Sequence, residues 1–152
     1  MAITVQDTYL TDYAQGFPGM LANGETQNRI SRTIEDAAGI AFGKAAFRGA
    51  GDHGVTATPA ANKFMGVTIA DIGVVPGLTG TPDVFPQYAT ASLLKTGVIL
   101  ITVGAAVAQG DQAYVTSAGA FTNVATSNTS IPARFDTTAA SGGIARLRVF
   151  EQ

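Results

Sequence analysis

Residues 30–49, ISRTIEDAAGIAFGKAAFRG, decide the fold class. The stretch reads as two short strands joined by an acidic turn at Glu35 and Asp36. Over residues 28–35 the polar side chains Arg29, Ser31, Thr33 and Glu35 fall on one face, and Ile30, Arg32 and Ile34 on the other. That alternation is the period of a strand with one buried side. Arg32 stands in an otherwise apolar row and needs a partner where it is buried; Glu35, Asp36 or another subunit is positioned to supply one. The second strand begins at Gly39 and carries Ile40, Phe42 and Phe47, its glycines marking a bulge or a close backbone approach.

Toward the C-terminus the same rhythm continues. Residues 49–63 form a Gly/Pro-rich loop, residues 64–70 a strand, and residues 71–86 another loop. Residues 88–94 suit a helical turn or a strand equally. Residues 97–103 are apolar on both faces and rich in branched side chains, as in a strand buried on two sides. Gly110 and Asp111 turn the chain into residues 112–116, and Ser117-Ala118-Gly119 forms a hairpin tip into residues 120–124. Residues 131–135 follow, and Gly142-Gly143 opens a last strand with Ala145, Leu147 and Val149 inward and Arg146, Arg148 and Phe150 outward. Short antiparallel strands with regular turns and no long helix predict an all-β fold, a small barrel or sandwich, over residues 28–152.

Residues 1–27 precede it as an extended N-terminal arm. Gly16-Phe17-Pro18-Gly19 breaks any regular element. Chains left free in solution are polar, whereas Tyr9, Tyr13, Phe17, Pro18 and Met20 are apolar or aromatic. The arm is therefore expected to lie against its own domain or a neighbouring subunit. With Arg29 and Arg32, these residues are the candidate contact residues.

Composition narrows the function classes. The chain has 152 residues, 46% hydrophobic, with 13% charged, against roughly 25% in ordinary soluble domains. So few charges suit a surface partly covered by copies or partners. A formal charge of −2 is the wrong sign for a nucleic-acid footprint. There is no Cys, hence no disulfide framework or thiolate metal site. The N-terminus lacks the basic and apolar regions of a secretory signal, and the longest apolar run falls well short of a membrane helix. A soluble protein made in the cytosol is the expectation.

Catalytic motifs do not assemble. Gly39 to Ala45 resembles a phosphate loop, but three residues rather than four separate its glycines and Ala45 stands where a magnesium-binding hydroxyl belongs. Asp52-His53 has no nucleophile or oxyanion donors beside it and too few companions for a metal. The carboxylates are single apart from Glu35-Asp36, which does not make a pair facing one cleft. A biotin- or lipoyl-carrier domain needs a lysine at a hairpin tip; Ser117-Ala118-Gly119 has none. No enzyme activity, cofactor or metal is expected.

The combination resembles the capsid cement or decoration proteins of tailed bacteriophages. The resembling residues are Ser31-Arg32-Thr33-Ile34-Glu35, Gly39-Ile40-Ala41-Phe42-Gly43-Lys44-Ala45, Gly49, the strand from Gly97-Val98 to Val103, Gly110-Asp111-Gln112-Ala113-Tyr114-Val115, Gly119 and Gly142-Gly143-Ile144-Ala145-Arg146-Leu147. They cover most of residues 16–150. The resemblance implies a β-rich structural virion protein on the head exterior, made in the host bacterial cytoplasm. It further implies a homotrimer that binds the major capsid protein, not nucleic acid or membrane, and clamps neighbouring capsomers against internal pressure, its N-terminal arm reaching along the shell. A competing reading is a tail- or fibre-associated β-rich module that recognises a receptor or carbohydrate. That reading favours exposed aromatics in the C-terminal half.

Overall fold

A computed structural model describes residues 16–74 and 80–150. Among these the chain is all-β and holds no helix. The strands are β1 (Asn28–Ile34), β2 (Ile40–Ala41), β3 (Ala45–Arg48), β4 (Gly54–Thr56), β5 (Phe64–Thr68), β6 (Val84–Phe85) and β7 (Thr90–Thr102). After them come β8 (Gln112–Val115), β9 (Phe121–Thr122), β10 (Thr129–Phe135) and β11 (Ile144–Val149).

The first half closes on itself. Strands run β1-β4-β3-β5-β7, and β7 pairs back with β1, making a five-stranded barrel. Closure removes the free edges that short strands otherwise expose. Ile30 lies opposite Leu93 and Ile34 opposite Val55, so one face of each strand turns inward. Ile34, Ala46, Val55, Ala91 and Leu93 fill that interior, with Ile40 and Phe85 of the β2–β6 ribbon packed against them.

The second half is built on the far end of the same strand. From Gly97 onward β7 pairs with β11, which leads through β10 and β8 to β9. A bridge between Phe121 and Val103 returns β9 to the end of β7. Ala45, Phe47, Phe64 and Val67, on the outward faces of β3 and β5, join Ile99, Ile101, Phe121, Phe135 and Leu147 in a larger core. Phe47 and Phe64 meet edge to face at 5.9 Å. β7 is thus apolar on both sides because each side serves a different core: Leu93 faces the barrel interior and Leu94 the inter-sheet core.

Several sequence expectations hold. β11 buries Ala145, Leu147 and Val149 and exposes Arg146, with Phe150 exposed just beyond it, whereas Arg148, also expected outward, is half-buried. The Ser117-Ala118-Gly119 tip joins β8 to β9, with Tyr114 opposite Thr122. Others change. The second strand of the opening stretch is two strands, β2 and β3, separated at Gly43 (φ +65°). The 49–63 loop contains β4, which pairs with β1 in parallel, an exception to the antiparallel plan. Of the ambiguous residues 88–94, Tyr88 and Ala89 belong to a turn and residues 90–94 open β7, a strand of 13 residues.

Arg32 does not find the carboxylates beside it in sequence. Its Nη1 donates to the Ser31 carbonyl at 2.8 Å, and its buried Nε has no partner among the described residues. Glu35 instead accepts the amides of Ala50 and Gly51 at 2.7 and 2.8 Å. Asp36 accepts the Thr56 hydroxyl and the Ala57 amide, both at 2.6 Å. Backbone amides of a tight loop outcompete a neighbouring guanidinium because a carboxylate there satisfies donors that have no other acceptor. The Glu35 carboxylate lies so close over Gly54 that any side chain there would overlap it.

Candidate functional site

Phe17-Pro18-Gly19-Met20 forms a turn in which the Met20 amide donates to the Phe17 carbonyl at 3.2 Å. Proline second and glycine third are the residues such a turn requires when its third position has positive φ, and Gly19 has φ +88°. The chain then runs along β7. Gly19 donates to the Leu100 carbonyl at 2.8 Å, Leu100 donates to the Met20 carbonyl at 2.8 Å, and Ala22 donates to the Val98 carbonyl at 3.0 Å. On the other side the Ala70 amide donates to the Gly19 carbonyl at 2.9 Å. The turn is therefore held rigidly on the body of the protein.

That rigidity presents apolar side chains to solvent. Phe17 is 54% exposed, Met20 42% and Ile72 fully exposed. Phe17 stands between two clefts. One, of about 520 Å³, is lined by Met20, Leu21, Phe42, Ile69 and Ile72, with Arg29, Asp71 and Asp83 adding charge. The other, of about 530 Å³, is lined by Pro18, Phe42, Pro82 and Val84. Phe42 floors both and packs edge to face on buried Phe85 at 5.0 Å. Isolated exposed apolar side chains are ordinary, whereas adjoining ones around a cleft are uncommon on a monomer's surface.

Of the residues singled out from sequence, Phe17, Met20 and Arg29 line the first cleft, and Phe17 and Pro18 the second. Arg29 Nε donates to Gln27 Oε1 at 3.2 Å. Arg32, on the barrel-interior face of β1, lines neither cleft. Tyr9 and Tyr13 lie outside the described residues. Sequence reasoning missed Ile72 and Phe42; Ile72 is one of several apolar residues in a Gly/Pro-rich loop, with Val74, Val75 and Leu78 after it, so nothing in the sequence singles it out.

Glu25 is pinned by Arg148, which donates to it at 2.6 Å and to Asp136 at 3.1 Å. The hydrogen bond from Arg148 holds the Glu25 carboxyl below its ordinary pKa. Motifs that suggested chemistry are occupied by structure. Gly43 and Lys44 donate their amides to the carbonyl and hydroxyl of Thr68. His53 is exposed, and its carbonyl accepts the Thr33 amide at 2.9 Å. Among the described residues no group of three or more His, Asp or Glu side chains is placed to hold a metal.

The family described as structural cement protein (E217 gp24/Pam3 gp6) matches residues 5–149. The chain belongs to this family of phage cement proteins. Its role is accordingly a structural one in the phage capsid, and it is a component of the virion. A chain from the capsid of Myoviridae phage XM1 is similar in fold, with a TM-score of 0.66 at 17% identity over 96% of this chain and 97% of that one. No curated protein sequence matches the chain.

Proposed function

We propose that this cement protein binds the outer surface of the major capsid shell as a homotrimer and clamps neighbouring capsomers against internal pressure. The observation that carries the reading is the rigid Phe17–Met20 turn, which holds exposed apolar side chains at the margin of two apolar clefts. Covering such side chains stabilises a contact by about 1.5–3 kcal/mol each when burial is complete. An interface of roughly 800 Å² per partner is then within reach, and many copies on one lattice add avidity without new contacts. Phe17, Pro18, Met20 and Arg29 serve as capsid or subunit contacts, and Tyr9, Tyr13 and Arg32 are assigned the same role. The gathering of exposed Phe17, Met20 and Ile72 around one cleft supports this over a receptor-binding module.

Light scattering at several concentrations, followed by co-sedimentation with undecorated heads, tests the proposal. A trimer that sediments with heads is expected, and Phe17→Ser with Met20→Ser reduces that sedimentation at least tenfold without altering the circular dichroism spectrum. A monomer that ignores the heads sinks the reading.

A further inference from the structure

Tyr88 occupies a backbone position made for glycine. The turn of residues 86–89 is closed by the Ala89 amide donating to the Pro86 carbonyl at 3.1 Å. Tyr88 is its third residue and takes φ +65°. Both Tyr88 and Ala89 face Ile34: Tyr88 donates to the Ile34 carbonyl at 2.8 Å, and Ile34 donates to the Ala89 carbonyl at 3.0 Å. Two residues opposing one make a β-bulge, and its first position, when left-handed, normally holds Gly. The other described non-glycine residues at positive φ are Asn62, Asp83 and Ser127, all short and polar. A bulky aromatic there is strained.

Among the described residues the Tyr88 side chain makes no hydrogen bond or ring contact that would offset the strain. The Tyr88 ring is 75% exposed. Its loop is nonetheless fixed, since Gln87 Nε2 also donates to the Glu35 carbonyl at 2.9 Å. A strained, immobilised and exposed aromatic at a loop tip is how a contact group is held ready for a partner.

We propose that Tyr88 is a second contact point with the assembled capsid shell, separate from the Phe17 clefts; this rests on the shell-binding reading above. Arg29 lines the first cleft near the start of β1, whereas Tyr88 bonds to Ile34 at its end. Strand rise puts those ends about 17 Å apart. Bridging neighbouring capsomers requires two separated contacts on one molecule. The surroundings favour shell over a second copy of the chain. The neighbouring Gln87 is polar, and one ring offers too little apolar area for a self-sustaining oligomer interface. A single aromatic anchor with a polar rim suffices where lattice avidity multiplies it.

Tyr88→Gly and Tyr88→Asn, both compatible with the turn, test this against the full-length wild type. Expected for both are an unchanged mass by light scattering, a Tm raised by about 2–4 °C in the glycine variant, and at least tenfold weaker co-sedimentation with undecorated heads. Wild-type binding to heads by both variants overturns the inference, as does an altered oligomeric mass, which would make Tyr88 a self-contact. Loss in the glycine variant alone also overturns it, by assigning the effect to loop flexibility. Failure of the wild type to sediment refutes the shell-binding reading itself, so the two failures are distinguishable.

Discussion

The two halves of the molecule share β7 but solve different problems. The second sheet, from Gly97 to β11, pairs its strands antiparallel and buries alternate side chains along β8, β10 and β11. The barrel is assembled from shorter pieces, held by carboxylates over loop amides and closed by remote pairings. Four of the six exposed large apolar side chains described, Phe17, Met20, Ile72 and Tyr88, belong to the barrel or the segments packed on it. The difference teaches a division of labour. Regular packing makes a stable base, and irregular, individually pinned loops hold apolar side chains out to solvent.

The strongest challenge to that division is whether the halves unfold separately. Phe47 comes from a barrel strand but packs in the core shared with the second sheet. Phe47→Ala is expected to cost about 3–5 kcal/mol and to raise hydrogen exchange in β10 and β11 as much as in β3. Protection retained in β10 and β11 would show two independent units.

A smaller and local effect is expected at Glu35. Glu35→Ala leaves the Ala50 and Gly51 amides without their acceptor and should cost about 1–2 kcal/mol. Faster exchange should be confined to residues 49–56 and the parallel β1–β4 edge. A uniform change across the second sheet would mean that the loop is not separately pinned.

The smallest effect belongs to Glu25, whose bond to Arg148 ties the segment before β1 to β11. Its pKa is lowered in the folded state by that bond. The contribution is therefore present above the ordinary carboxylate pKa of about 4.3 and lost as pH falls through the lowered value. An NMR titration should place the Glu25 midpoint below the ordinary value and return it there in Arg148→Ala. An identical midpoint in the variant would show that Arg148 is not the cause.

The same contrast explains what could be read from residues alone. The hairpin at Ser117-Ala118-Gly119 and the inward row Ala145, Leu147 and Val149 were legible because each is a local pattern with a turn signal. β4 was not, because Gly54-Val55-Thr56 is too short to show a period and its partner β1 lies across a parallel crossover. Arg32 bonds to neither Glu35 nor Asp36, because adjacency in sequence says nothing of the loop amides that reach those carboxylates in space. At the candidate site, Phe17 and Met20 stood out as apolar exceptions in a polar stretch. Ile72 and Tyr88 did not, since periodicity cannot mark a single loop residue and the sign of φ is invisible in the chain of letters.

β7 also has a mechanical consequence. It is hydrogen-bonded along both edges, with β1 and residues 19–22 on one side and β5 and β11 on the other. Its hydrogen bonds run across the strand axis. A pull along that axis loads many bonds at once in shear, whereas a pull on a hairpin tip such as Ser117-Ala118-Gly119 opens them one by one. The molecule is thus stiffest along the direction of β7 and softest at the hairpin ends of its second sheet.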